Sequence, residues 1–194
     1  KGPYATATAP QMKKLGYKTY FWYGGFNSWQ RIKDFTIAQG FDVFIGCNDL
    51  MPKSGNAWGM EDRHFLQSIV SLLQDDQPTF HIILTTSNHP PYTINLAQEG
   101  FDDSGIMNNL PAALKSNKEW QQKLGHFWYA DKAITQFINS VKEKYPESLF
   151  VITGDHANRM NIEANPSLFD RYAIPFVLYG NGVTKKILPS NAAG

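Results

Sequence analysis

Asp155 and His156 stand side by side directly after a run of apolar and β-branched residues, in the stretch LFVITGDH. An aspartate offers a hard carboxylate oxygen and a histidine offers a borderline nitrogen, a pair that suits Zn²⁺ or Mn²⁺ better than Ca²⁺ or Mg²⁺. Gly154 allows a tight turn, so both side chains can approach one ion. The structural alternative is that Asp155 caps a helix and His156 is a buried histidine with satisfied hydrogen bonds.

His89 lies in the stretch TTSNHPPY, in which two prolines stiffen the backbone after it. An imidazole held in this way can donate to an anionic substrate or move a proton near neutral pH. The alternative is a loop histidine wedged by prolines. The hydroxyls of Thr85, Thr86 and Ser87 just before it could be nucleophiles, but such hydroxyls more commonly satisfy the backbone groups of a loop.

Trp29 and Arg31 follow a third strand-like stretch, in YGGFNSWQR. An arginine near a helix N-terminus can bind phosphate or sulfate through bidentate hydrogen bonds. Two residues apart on a helix, Trp29 and Arg31 do not share a face, yet both can line one pocket from its rim. The alternative is a core tryptophan and a solvated arginine.

Strand-like and helix-like segments alternate along the chain. Apolar and aromatic runs predict strands over residues 17–24, 41–46, 79–87, 148–154 and 174–180. Capping residues, glycine stops and apolar periodicity predict helices over residues 8–16, 27–40, 60–75 and 126–145. This alternation predicts an α/β fold with a mainly parallel sheet, in which the strand over 79–87 is buried and the one over 148–154 is central. Residues 93–125 read as an irregular binding loop or lid.

Two helices carry apolar stripes that face a core. The stripe of the first helix consists of Phe65, Ile69, Leu72 and Leu73. The stripe of the second consists of Phe127, Ala130, Ile134, Phe137, Ile138 and Val141. Because ligands of open α/β sheets bind outside the carboxyl ends of the strands, the exits after residues 23, 86 and 153 should lie at the same edge of one sheet.

Composition narrows the function classes. The 194 residues carry 18 Lys and Arg against 17 Asp and Glu, a balance that argues against a nucleic-acid-binding surface. Cys47 is the one cysteine, so no disulfide framework forms within the chain. No apolar run approaches the roughly 20 residues that span a bilayer. We expect a single domain over residues 1–194, and the first residue, Lys1, suggests a piece of a longer protein.

Six segments together resemble a known family. LGYKTYFWYGGFNSWQR, GFDVFIG, WGMEDRHFL, LTTSNHPPY, YADKAITQFI and VITGDHA follow one another in the order seen in the sulfatase-like catalytic domain of lipoteichoic acid synthases, which belong to the alkaline phosphatase superfamily. Phosphoglycerol transferases of periplasmic glucans look similar. The resemblance covers roughly residues 7 to 182. It implies an alkaline phosphatase-like α/β sandwich with helices on both faces of the sheet.

The resemblance also implies roles for individual residues. Asp155 and His156 match the family's metal ligands for Mn²⁺ or Zn²⁺, and His89 matches its substrate-binding histidine. Trp29 and Arg31 match the tryptophan and arginine that contact the glycerolphosphate group. The implied substrate is an anionic lipid or glycan ester. The implied location is outside the cytoplasmic membrane, with the parent protein tethered by an N-terminal transmembrane region.

Two of the departures from the family pattern concern the reaction and the substrate. The family has an aspartate a few residues before the tryptophan, where this chain has Gly24. The family's nucleophilic threonine and first acidic metal ligand lie upstream of the matched segments. The resemblance therefore assigns no catalytic nucleophile to residues 1–194, and we expect this piece alone to be inactive.

Phosphoglycerol or phosphoethanolamine transfer is the preferred reaction of the parent enzyme. One alternative is sulfate-ester hydrolysis, although Cys47 lies in the wrong segment for a modified sulfatase nucleophile. The other is a non-catalytic module that binds anionic glycans or lipid head groups. A Thr, Ser or Cys at the end of a strand in the sequence upstream of these residues would favour an enzyme over a binding module.

Overall fold

The computed structural model describes residues 2–51, 54–74, 76–102, 104–156 and 165–184. The chain divides into two compact units, residues 1–137 and residues 138–194. Among the described residues, the first unit holds five strands and the second holds two. The single domain expected over residues 1–194 stays a prediction.

A three-stranded parallel sheet organises the first unit. The strands of this unit are β1 (Lys18–Tyr23), β2 (Val43–Gly46), β3 (Gly55–Asn56), β4 (Gly59–Met60) and β5 (Thr79–Leu84). Strand β1 lies between β2 and β5, with Tyr20 opposite Val43 on one side and His81 on the other. The carboxyl ends of β1, β2 and β5 therefore meet at one edge. The predicted α/β fold with a parallel sheet is confirmed.

Strand β1 is the best buried of the three. Its sequence TYFWY combines a β-branched residue with aromatic residues, which favour strands. Tyr20, Trp22 and Tyr23 are buried, and the burial covers both faces, as expected for a parallel strand with neighbours on each side. The prediction that β5 is buried is wrong. It is half-buried along its length, because among the described residues it forms an edge of this sheet.

Six helices begin within the described residues of the first unit. They are α1 (Thr8–Lys14), α2 (Ile32–Ala38), α3 (Asp62–Leu72), α4 (Ser104–Asn109), α5 (Ala112–Lys115) and α6 (Lys118–Lys144). The helix predicted from Asn27 or Ser28 starts later than expected. Gln30 and Arg31 have φ angles of 43° and 58°, in the left-handed region, so a 3₁₀ turn over Trp29–Arg31 precedes α2.

The apolar stripe of α3 is confirmed in most of its positions. Phe65 and Ile69 are fully buried and Leu73 is nearly so. Full burial of a large apolar side chain stabilises a fold by about 1.5–3 kcal/mol. Leu72, the last residue of α3, is 52% exposed, so its predicted burial is wrong.

The prediction of an irregular segment over residues 93–125 is wrong, because this range contains α4, α5 and the start of α6. An ion pair between Glu119 and Lys123, one helical turn apart at 2.7 Å, supports the first turns of α6. At Gly125, inside the helix, a β-carbon would meet the side chain of Leu96, which would have to shift. In the α6 stripe, Ala130, Ile138 and Val141 are buried, whereas Phe127 is 50% exposed.

The second unit contains a two-stranded antiparallel sheet. Besides the end of α6, its elements among the described residues are β6 (Leu149–Thr153), α7 (Leu168–Tyr172) and β7 (Phe176–Gly180). Val151 of β6 lies opposite Leu178 of β7. Strand β6, predicted as a central strand of a parallel sheet, pairs only with β7 in the described part of the chain. The strand exits after residues 23 and 86 share one edge. That the exit after residue 153 lies at the same edge stays a prediction.

None of the helices within the described ranges is long and apolar enough to cross a membrane. The longest, α6, has 27 residues and carries charged side chains in both its first and last turns.

Candidate functional site

The exits of the parallel strands converge on two glycines. The amide of Gly24 donates to the carbonyl of Leu84 at the end of β5, at 2.9 Å. The amide of Cys47, just after β2, donates to the carbonyl of Gly25, also at 2.9 Å. A β-carbon at Gly24 would lie 3.3 Å from Thr86 Oγ1 and 3.4 Å from the ring of Phe65. A side chain at Gly24 would therefore require the Thr86 hydroxyl to move by a few tenths of an ångström.

Trp29 and Arg31 lie on the surface after the exit of β1. Trp29 is 39% exposed, and its ring centroid lies 5.9 Å from that of Tyr23. The side chain of Arg31 is 84% exposed and contacts the carboxylate of Asp34 at 3.1 Å. Trp29 is therefore not the core tryptophan of the alternative, whereas Arg31 is solvated as that alternative predicted. Both side chains are accessible to a ligand.

A polar network at the exit of β2 holds the segment that leads to Trp29. The carboxylate of Asp49 accepts from the amide of Gly46 at 2.9 Å and from Asn27 Nδ2 at 2.8 Å. The amide of Asn27 donates to Asn48 Oδ1 at 3.0 Å. The hydrogen bond from Gly46 is the main cause that lowers the pKa of Asp49, so its carboxylate stays ionised near neutral pH.

Two contacts fix the ring of His89. Its Nδ1 lies 2.6 Å from the carbonyl oxygen of Pro90, and its ring centroid lies 4.1 Å from that of Trp58. Because a carbonyl only accepts, Nδ1 carries the proton in this contact. Nε2 is then the atom left to accept a proton or, in the imidazolium, to donate to an anion.

The hairpin of β3 and β4, which the sequence did not predict, supports the loop that carries His89. Asn56 Nδ2 donates to the carbonyl of Pro91 at 3.3 Å and to Thr93 Oγ1 at 3.1 Å. Gly59 has φ of 148° and lies so close to Gly24 and Gly25 that no side chain fits there. The stretch GNAWG was the signal available in the sequence, since paired glycines indicate a close backbone approach.

Asp62, the first residue of α3, contacts the same loop. It is fully buried, and its Oδ1 accepts from the amides of Thr86 at 3.0 Å and Ser87 at 2.9 Å. The amide of Asp62 donates to Ser87 Oγ at 2.8 Å. Burial is the largest influence and raises the pKa of Asp62, although these hydrogen bonds oppose it.

The hydroxyls of Thr86 and Ser87, just before His89, make hydrogen bonds that hold the loop. Thr86 Oγ1 donates to the carbonyl of Met60 at 3.3 Å, and Ser87, which is buried, accepts from α3. This agrees with the preferred interpretation that such hydroxyls satisfy loop backbone groups. Cys47 is also buried, which raises the pKa of its thiol and leaves it unsuited to act as a nucleophile.

His126 of α6 holds the far end of the His89 loop. Its Nε2 accepts from the amide of Ile94 at 3.0 Å, and its Nδ1 donates to the carbonyl of Gln122 at 2.8 Å. Gln122 Nε2 donates to the carbonyl of Tyr92 at 2.7 Å, and the Tyr92 ring packs against the imidazole. Burial lowers the pKa of His126, so the ring is neutral near pH 7.

Asp155 and His156 follow β6 in the second unit. The distance from His156 Nε2 to Asp155 Oδ2 is 3.8 Å, and both side chains are accessible. Two tetrahedral ligands at ordinary Zn²⁺ distances lie about 3.4 Å apart, so the pair needs only a small adjustment to share one ion. Among the described residues no group of three His, Cys, Asp or Glu is placed to hold a metal. The donor types therefore fit a divalent ion but supply only part of a ligand set.

The family comparison covers nearly the whole chain. The model of the Sulfatase family matches residues 7–193. Lipoteichoic acid synthase-like YvgJ of Bacillus subtilis is 28% identical over 126 residues, which are 60% of this chain and 18% of that protein. The chain thus corresponds to less than a fifth of the length of this relative.

Solved structures share the fold. Lipoteichoic acid synthase LtaP from Listeria monocytogenes superposes with a TM-score of 0.73 at 21% identity, covering 91% of this chain and 46% of that chain. Phosphoglycerol transferase GacH from Streptococcus pyogenes, in complex with sn-glycerol-1-phosphate, superposes with a TM-score of 0.56 at 16% identity. That match covers 89% of this chain and 45% of the GacH chain. At these identities the likeness shows the fold alone.

Proposed function

The chain belongs to the sulfatase family, and we propose that it is part of a metal-dependent enzyme that transfers or hydrolyses phosphate esters of the phosphoglycerol type. The observation that carries the proposal is His89, whose Nε2 is available at the sheet edge from which the chain leads to Trp29 and Arg31. Similarity to a lipoteichoic acid synthase-like protein and to a phosphoglycerol transferase favours phosphate over sulfate esters.

Three side chains of the first unit would handle the substrate. Arg31 would bind the phosphate through two hydrogen bonds, and leaving Asp34 would cost little because an exposed ion pair contributes about 0–1 kcal/mol. The exposed ring of Trp29 would cover the glycerol carbons. His89 would donate from Nε2 to a phosphoryl oxygen in its protonated form, while Nδ1 stays on Pro90.

Asp155 and His156 would hold a divalent ion, Mn²⁺ or Zn²⁺. Bound there, such an ion would supply a Lewis acid that can stabilise negative charge on a phosphate ester. We infer that a threonine outside residues 1–194 of the longer protein attacks phosphorus, and that the ester oxygen leaves with a proton as its alcohol. The acceptor hydroxyl or water then displaces the threonine and regenerates the enzyme.

The substrate class follows from the same resemblance. An anionic lipid or glycan ester would suit an arginine, a histidine and an exposed tryptophan at one sheet edge. The corresponding location is outside the cytoplasmic membrane, with the longer protein tethered through a region not included in these 194 residues. The balanced charge of the sequence argues against a nucleic-acid substrate.

The test uses the full-length protein and three substrates: a phosphatidylglycerol analogue, an aryl phosphate and an aryl sulfate. We expect turnover of the phosphate esters, a higher KM in Arg31→Ala and a lower kcat/KM in His89→Ala. Asp34→Ala is the matched control, because it removes the partner of Arg31 but keeps the guanidinium. Turnover of the aryl sulfate alone would favour a sulfatase. Binding of the lipid analogue without turnover would favour a non-catalytic module.

A further inference from the structure

A carboxylate with no solvent exposure stands out in the first unit. Asp62 is 0% exposed, although burying an ionisable group costs several kcal/mol unless hydrogen bonds compensate. It occupies the first position of α3, where an acidic side chain would normally reach water and the free amides of its own helix. Here the side chain instead hydrogen-bonds to a different segment.

The segment that it contacts is the turn after β5. Asp62 Oδ1 accepts two hydrogen bonds, from the amides of Thr86 and Ser87. In return, Ser87 Oγ accepts from the amide of Asp62. The turn itself is closed by the amide of His89, which donates to the carbonyl of Thr86 at 3.2 Å.

Two hydrogen bonds in succession connect Asp62 to the backbone of His89, the first from the Thr86 amide to Asp62 and the second from the His89 amide to the Thr86 carbonyl. Once Thr86 and Ser87 are held, the Thr86–His89 hydrogen bond fixes the backbone of His89. The ring then has its Nδ1 on Pro90 and its face on Trp58. A shift of the turn would therefore displace Nε2, the one ring nitrogen left for a substrate.

We propose that Asp62 is a positioning residue, which places His89 Nε2 at the sheet edge by holding the turn from Thr86 to His89. The proposal rests on the proposed function for the meaning of that placement. The placement itself concerns the fold and can be measured without activity. Asp62 touches no substrate in this scheme and acts only through His89.

The first experiment records histidine and amide NMR spectra of the 194-residue chain. Asp62→Ala removes both acceptor contacts, so the His89 ring signals, shifted by the adjacent Trp58 ring, should move towards values of an exposed histidine. Asp62→Asn keeps Oδ1 and should leave them in place. Ile69→Ala is the matched control, because Ile69 is equally buried and lies two helical turns further along α3. It should lower stability without moving His89.

The outcomes separate a positioning role from a merely structural one. Unmoved His89 signals in a folded Asp62→Ala chain would overturn the proposal, as would an equal displacement in Ile69→Ala. If the Asp62→Ala variant does not fold, the Asp62→Ser variant takes its place. The serine side chain is too short for its hydroxyl to reach both the Thr86 and the Ser87 amides. Displacement in that variant supports the proposal, and unmoved signals overturn it.

The second experiment measures kinetics in the full-length protein with the phosphatidylglycerol analogue. A displacement of a reacting group by about 1 Å costs about a hundredfold in rate, so Asp62→Ala should approach the loss seen in His89→Ala. The double variant should lose little more than His89→Ala alone, because both changes act on one group. Asp62→Asn should recover most of the activity, and bound metal should be unchanged. Full additivity of the two losses would contradict the proposal.

The two proposals fail in different ways. If His89→Ala leaves turnover intact, the proposed role of His89 is wrong, and the NMR experiment still decides whether Asp62 places the ring. If His89→Ala abolishes turnover while Asp62→Ala changes neither kinetics nor the His89 signals, only the positioning role is wrong.

Discussion

The buried His126 should make the stability of the first unit depend on pH. Its neutral ring accepts from the amide of Ile94 through Nε2, and protonation of Nε2 removes this acceptor. The ring is only 1% exposed, so the imidazolium would also lose most of its hydration. Burial accordingly lowers the pKa of His126 from its ordinary value of 6.5.

The sign of the effect follows from proton counting. Between the lowered pKa of the folded state and 6.5, the unfolded chain binds more protons than the folded chain. The free energy of unfolding therefore falls as the pH falls through this window. Above the window, the stabilising contribution of the neutral His126 is fully present. The loss is at most about 1.4 kcal/mol for each pH unit within the window.

The assay is urea unfolding followed by tryptophan fluorescence at about pH 7.5 and about pH 5.5, on either side of the ordinary histidine pKa. The variant His126→Gln removes the titrating group and keeps a polar side chain in the helix. It should be less stable than the wild type by about 1–3 kcal/mol at the higher pH and closer to it at the lower pH. A difference between the two proteins that stays constant with pH would refute the reasoning.

Three further predictions concern Trp58, His156 and Phe65. Trp58→Ala should free the His89 ring and lower kcat/KM of the full-length protein, whereas Trp58→Phe should retain most of the activity; equal losses would contradict a stacking role. His156→Ala should remove bound metal from the full-length protein, measured by elemental analysis, while His89→Ala keeps it; retained metal in the first variant would show that the ligands lie elsewhere. Phe65→Ala should lower the free energy of unfolding by about 3–5 kcal/mol in urea denaturation, and a loss below about 1 kcal/mol would contradict the full burial of its ring.

The regular elements of the first unit were predictable because their sequence patterns are strong. Aromatic and β-branched residues mark β1, and apolar spacing marks α3, so both lie within the predicted segments. The β3–β4 hairpin was not predictable in the same way, since strands of two residues have no periodicity. The direction of β7 was also inaccessible, because an apolar run reads the same in parallel and antiparallel pairs.

The side chains around the candidate site divide along a similar line. Trp29 and His89 could be singled out because they follow strands, and the carboxyl ends of parallel strands meet at one edge. Asp62 and His126 could not, because their roles depend on contacts with residues 25 and 32 positions away in the sequence. A buried aspartate before an apolar helix reads locally as a helix start. Only the fold reveals that it holds another loop.

The two segments that we propose to contact the substrate are held to different degrees, and this difference suits them to different tasks. The loop of His89 is bonded to α3, to the β3–β4 hairpin and to α6, so the position of Nε2 is set before any ligand arrives. Arg31 has a left-handed backbone and an exposed side chain whose contact with Asp34 is weak. A guanidinium on such a segment can follow the phosphate of differently shaped esters. The histidine would then define where the phosphoryl group reacts, and the arginine would adapt to what carries it.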